Sequence, residues 1–85
     1  MITEKQGLVL AISQMVQSSM RDKGLAIVPV SANSVLLDSG IGIDSLDLAA
    51  IVVQLTEKTG RDPFANGFIE FQTVGELASL YAQPQ

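Results

Sequence analysis

Apolar and polar positions along the chain divide it into three periodic stretches separated by two irregular ones. In the first stretch Leu8, Ile12, Met15 and Met20 recur at helical intervals, with Val9 and Val16 beside them. Glu4, Gln6, Ser13 and Gln17 face elsewhere, so the pattern predicts an amphipathic helix from about Glu4 to Asp22. Thr3 and Gln6 stand at capping-box spacing for its start. Arg21 and Lys23 suit the negative end of the helix dipole, and Gly24 supplies a stop.

Leu25 to Ile43 forms a long connection. Pro29 blocks a continuous helix, and Ser31, Ala32, Asn33 and Ser34 read as turn material. Ile27, Val28, Val30, Val35, Leu36 and Leu37 are apolar, which predicts a connection packed down on the domain. An edge strand over Ala26–Val30 is the less favoured alternative, because no second strand is evident nearby. Ser39 to Gly42 carries two glycines and reads as a tight turn.

Asp44 then sits where an N-cap belongs. Leu48, Ile51, Val52 and Leu55 make the buried stripe of a second helix of about 15 residues, ended by Gly60. Residues 61–72 are short and irregular, with room for a single helical turn. Phe68, Ile69 and Phe71 are the candidate core plugs there. Thr73 and Glu76 make a further capping box, and Val74, Leu77, Ala78 and Tyr81 follow at helical spacing. The expected architecture is all-α, a small three- to four-helix bundle with a long loop between helices 1 and 2.

Composition removes several classes of chemistry. The chain has 85 residues, 47% of them hydrophobic, enough for one modest core. It contains no cysteine and no histidine. Neither a thiolate metal site nor a Ser-His-Asp triad can therefore be assembled from it. Lys5, Lys23, Lys58 and the nine carboxylates show no convergent spacing, so an enzyme is not expected. Asp44 and Asp47 alone make a poor divalent-ion site, and none is expected. The net charge of −4 disfavours nucleic acid and favours basic partner surfaces. No run of eighteen apolar residues is present to span a membrane, and Met1 to Gln6 lacks a secretory layout, so a cytoplasmic protein is expected.

The Gly42-Ile43-Asp44-Ser45-Leu46 stretch is where chemistry enters. It puts a serine hydroxyl in the first turn of a helix, after a glycine-bearing loop. Unpaired backbone N–H groups and the positive dipole end favour an attached phosphate at such a place. The segment resembles the acyl carrier protein family, whose signature is Asp-Ser-Leu at the start of the second helix. The resemblance covers most of the chain. It takes in the first amphipathic helix, the long loop with Leu36-Leu37-Asp38-Ser39-Gly40, the motif at Asp44–Leu46 and a last helix opening at Thr73-Val74.

The resemblance implies that residues 1–85 are one carrier domain of the acyl-carrier type. It implies that Ser45, flanked by Asp44 and Leu46, carries a 4′-phosphopantetheine arm through a phosphodiester. The arm's thiol would hold an acyl or aminoacyl cargo as a thioester. A phosphopantetheinyl transferase would install the arm from coenzyme A. An acyl- or aminoacyl-loading enzyme would charge it, and a downstream acyltransferase or synthase would use it. The alternative is a non-catalytic helical interaction module in which Ser45 is a plain helix cap.

Family members dock basic patches through acids along helix 2. Asp44, Asp47 and Glu57 match, whereas Ala49, Ala50, Thr56 and Lys58 stand where acids are often found. The expected partner surface is Asp47, Ala50, Val53 and Glu57, with Leu46 and Val53 adding apolar contact. This diluted acidic face implies a specialised lipid or secondary-metabolite pathway rather than primary fatty acid biosynthesis. The bulk of Phe68 and Phe71 predicts a plugged interior, and hence a small, polar or aminoacyl cargo. A monomer is expected, since the three stripes should consume the apolar surface. Met1 just before helix 1 and Gln83-Pro84-Gln85 after the last helix lead to the expectation of a free-standing protein.

Overall fold

A computed structural model describes residues 4–36 and 43–82 of the chain. Three α-helices make up its regular structure: α1 (Lys5–Asp22), α2 (Ser45–Thr59) and α3 (Val74–Ala82). Among the described residues there is no strand, only an isolated antiparallel bridge between Val35 and Thr73.

In α1, Leu8, Ile12, Val16 and Met20 fall four residues apart and are fully buried, while Met15 is half-buried. Ser13, expected to face away, is buried as well. Its hydroxyl donates to the Val9 carbonyl at 2.8 Å, which satisfies the group inside its own helix. The N-cap is Glu4, without a side-chain cap bond; the predicted cap residue Thr3 lies outside the described residues. The C-terminal end follows the expected glycine stop. Gly24 takes φ 74°, its N–H donates to the Arg21 carbonyl, and the Leu25 N–H reaches back to Met20 at 2.9 Å. That pair of bonds is a Schellman motif, and it fixes the backbone on both sides of Lys23.

The connection after α1 has two halves. In the first, Ile27 and Val28, expected to pack down, are 46% and 41% exposed and Leu25 is 39% exposed, whereas Val30 packs against the core as expected; no edge strand forms over 26–30. A side-chain bond, Gln17 Nε2 to the Val28 carbonyl at 3.0 Å, ties this half to α1. The second half is stitched to the start of α3. Leu36 N–H donates to Gln72 O, Val74 N–H to Ser34 O and Gly75 N–H to Ala32 O, all within 3.0 Å. A side chain on Gly75 would meet that Ala32 oxygen at 3.0 Å, so glycine permits the approach. The stitching delivers Leu36 into the core, where it is 1% exposed. Leu37 and the turn expected over Ser39 to Gly42 lie outside the described residues.

Helix α1 packs chiefly on α3 and more lightly on α2. Leu48, Ile51 and Leu55 of α2 join Val74, Leu77, Ala78 and Tyr81 of α3 in one core. Gly60, at φ 70°, ends α2 as expected. The following segment, residues 61–72, turns without forming a helix. Phe68 and Ile69, expected as core plugs, lie at the surface, 78% and 43% exposed, and Phe71 is half-buried. Tyr81, on the buried stripe of α3, donates its phenol to the Val52 carbonyl at 3.1 Å and shares a bond with Thr56 Oγ1. Phe68 instead stacks outside on Phe64, with ring centroids 5.7 Å apart. At the head of α3, Thr73 Oγ1 accepts from the Glu76 N–H, as its spacing predicted.

Candidate functional site

Ser45 is the first residue of α2 and is exposed. Two positions before it, Ile43 is buried at 7% exposure and anchors the incoming chain. Asp44 between them is the N-cap, with extended backbone at φ −115° and ψ −176°. Its Oδ1 accepts from the Asp47 N–H at 3.0 Å, and Asp47 Oδ2 accepts in return from the Asp44 N–H at 3.0 Å. This reciprocal pair is a capping box built from two aspartates. It straddles Ser45 and Leu46 and fixes their backbone without using the serine side chain. Among the described residues no group is bonded to the Ser45 hydroxyl. The hydroxyl therefore stands in the first turn of a rigid helix, where backbone N–H groups lack intrahelical acceptors and the dipole favours an anion.

A third residue completes the site, and spacing in the sequence gave no sign of it. Lys23, at the C-cap of α1, places its Nζ 2.6 Å from Asp47 Oδ2 and 3.4 Å from Asp44 Oδ2. The end of α1 and the start of α2 are thereby clasped across a connection of about twenty residues. The Asp47 N–H donated to it, followed by the Lys23 ammonium, holds the Asp44 carboxyl below the usual aspartate range. Its hydrogen bond to Asp47, with the charges of both aspartates, holds the Lys23 ammonium above the usual lysine range. Only a signal that brought the two helix ends together could have found Lys23, and no local pattern carries one.

The residues expected as a partner surface separate into two groups. Leu46, Ala50, Val53 and Glu57 follow one another at helical intervals and are all exposed, Leu46 by 79% and Val53 by 58%. Asp47 does not share that face. It lies about 90° around the helix from it, is half-buried, and is held by Lys23. Glu57 is thus the acid that remains on the exposed face. Among the described residues no group of carboxylates is arranged to hold a metal ion. No helix is long and apolar enough to cross a membrane among them either.

Comparison with known families adds one finding. A family model described as a phosphopantetheine attachment site matches residues 20–81, a span that begins at the last turn of α1 and closes within α3. Comparisons with curated proteins and with solved structures find no match.

Proposed function

The chain belongs to the phosphopantetheine-attachment-site family, that of the acyl carrier proteins, and from that premise we propose that Ser45 is its attachment residue and residues 1–85 its single carrier domain. Members of the family bind 4′-phosphopantetheine covalently, and their carrier domains are themselves non-catalytic. The observation that carries the assignment is the position of Ser45. It is exposed, first in α2, and braced by a capping box that leaves its hydroxyl untouched.

These residues fit the group. A phosphodiester is an anion, and the N-terminus of a fifteen-residue helix is a favourable place for one. Lys23 offsets part of the charge of Asp44 and Asp47 beside it. The arm supplies a thiol, which this cysteine-free chain lacks, so that cargo is held as a thioester. The chain's own residues hold the Ser45 oxygen outward, cap the helix beneath it and leave Leu46 open to a partner. With no histidine in the chain to take the serine proton, the base belongs to the modifying enzyme. That enzyme is a phosphopantetheinyl transferase using coenzyme A. An acyl- or aminoacyl-loading enzyme and a downstream acyltransferase or synthase follow it.

The exposed face of α2 supports a dedicated partner set. Leu46, Ala50 and Val53 offer apolar contact, with Glu57 as the acid among them, which fits a specialised lipid or secondary-metabolite pathway. The filled interior, with Tyr81, Leu36, Ile51, Leu55 and Leu77 all at or below 1% exposure, supports a small, polar or aminoacyl cargo carried outside the core.

Intact mass tests the central assignment. The full chain, incubated with coenzyme A and a broad-specificity transferase, should gain about 340 Da. Ser45→Ala should gain nothing while keeping its helical circular dichroism. An unmodified wild type, or a modified Ser45→Ala chain, overturns the assignment. Loading assays with acyl- and aminoacyl-adenylating enzymes then separate the cargo classes.

A further inference from the structure

The carboxylates beside Ser45 are heavily used by the chain itself. Asp44 Oδ1 takes the Asp47 N–H, and Asp44 Oδ2 faces Lys23. Asp47 Oδ2 takes both the Asp44 N–H and the Lys23 ammonium. The next acid along the exposed face of α2 is Glu57, about 18 Å farther along the helix axis. A partner seeking negative charge at the attachment site therefore meets acids that already have a cation.

Resting on the reading of Ser45 as the attachment residue, we propose that Lys23 sets partner specificity at this site by competing with a docking enzyme's cations for Asp44 and Asp47. Three observations make the competition effective and reversible. The Schellman motif holds the backbone around Lys23, so its ammonium stays at high effective concentration beside the two carboxylates. The ion pair faces solvent, with the Lys23 side chain 33% and the Asp44 side chain 59% exposed, so an incoming arginine or lysine can reach it. The capping box is made by backbone N–H groups and survives the loss of the ammonium, so Lys23 can let go without unravelling α2.

An enzyme that docks by charge alone must displace Lys23 and gains little from doing so. An enzyme that also grips Leu46, Ala50 and Val53 does not depend on the exchange. Lys23 thus acts as a filter that weakens charge-only partners and leaves apolar recognition intact.

The test uses the full chain, coenzyme A and a phosphopantetheinyl transferase with a basic docking patch, with product followed by intact mass. Lys23→Gln should lower KM about two- to fivefold at low salt, the range expected for releasing an exposed ion pair, with kcat little changed. The advantage should vanish at about 0.5 M salt, where the screening length is near 4 Å. Lys23→Arg should follow the wild type, and adding Asp47→Asn to Lys23→Gln should cancel the gain. Calorimetric affinity of the unmodified chains for the transferase, without coenzyme A, should show the same order. Lys23→Met, which keeps most of the side-chain stem, substitutes if Lys23→Gln loses its circular dichroism. A KM and affinity for Lys23→Gln equal to or weaker than wild type overturn the inference, as does a gain that salt leaves unchanged. If the wild type gains no mass, the reading of Ser45 has failed and the inference with it. If the wild type is modified and Lys23→Gln is not favoured, the inference alone fails.

Discussion

Replacing Tyr81 by phenylalanine removes one oxygen that links α3 to Val52 and Thr56 of α2 and leaves the ring in place. That oxygen donates to the Val52 carbonyl at 3.1 Å and meets Thr56 Oγ1 at 3.1 Å. The two contacts do not count equally. Thr56 lies one turn after Val52, so its hydroxyl can turn back onto the same carbonyl and remain satisfied. Val52 O then keeps an acceptor role, and the net loss is close to one buried hydrogen bond, about 1 to 1.5 kcal/mol. For a domain of this size that lowers Tm by about 4–12 °C. The ring's edge-on contact with Phe64, with centroids 6.4 Å apart, persists, so no cavity term is added.

Urea unfolding gives the number directly, as a shift in midpoint at constant slope. Far-UV circular dichroism must be the probe, because Tyr81 is the one tyrosine of a chain without tryptophan, and the variant has neither tyrosine nor tryptophan fluorescence to follow. A loss below about 0.3 kcal/mol, under the usual range for a buried bond, refutes the bonded role of the phenol. The pH dependence supplies a second arm. Burial pushes the Tyr81 phenol above its ordinary value near 10. The folded chain thus holds the phenolic proton more tightly than the unfolded one. The associated stability is complete below about pH 10 and drains as pH rises toward the folded value. The raised Lys23 also loses stabilisation in that alkaline range, but it does so in both proteins and cancels in the comparison. The stability gap between wild type and Tyr81→Phe should therefore narrow above about pH 10. A gap that stays constant or widens refutes the buried phenol.

Two further substitutions separate the structure from weaker readings. Phe68→Ser should cost no more than about 2 kcal/mol in urea unfolding, the scale of its two ring contacts on Phe64 and Phe71, because the side chain is 78% exposed; a loss of about 3 kcal/mol or more, as for a core aromatic, would return it to the interior. Asp44→Asn keeps a good N-cap but cannot ionise. The folded Asp44 carboxyl lies below its ordinary value, so its stabilisation is present above about pH 4 and lost as pH falls through the folded value. Urea midpoints of Asp44→Asn should accordingly fall less steeply than wild type on acidification, and parallel profiles would count against the Lys23–Asp44–Asp47 clasp.

The legible part of this protein is the part written in short-range pattern. Helix α2 starts after Asp44 and stops at Gly60 because an aspartate can cap its own helix and a glycine can take positive φ, properties that need no distant neighbour. The same holds for Gly24 after α1 and for Thr73 before α3. Ser45 was legible for a related reason. Its exposure follows from being first in a helix whose apolar stripe, Leu48, Ile51 and Leu55, points elsewhere.

Where periodicity failed, so did inference from it. Residues 61–72 hold their apolar side chains in no repeating order, and hydrophobicity alone is the reason to expect Phe68, Ile69 and Phe71 inside. Core volume is shared by all elements at once, and it is filled from the helices, Tyr81 among them, with Leu36 and Ile43, while Phe68 and Ile69 stay at the surface. Ile27 and Val28 were expected to pack for the same reason and lie exposed, because the backbone bonds that dock the connection begin only at Ala32.

Lys23 marks the same boundary at the site itself. Sequence alone determined the helices, their ends at Gly24, Asp44, Gly60 and Thr73, and the exposed serine beside one of them, since each rests on contacts within a turn or two of chain. Tertiary structure alone decided that a lysine closing α1 would neutralise the acids opening α2. Such a contact depends on where a long connection returns, and electrostatic attraction acts through space without leaving a period in the sequence.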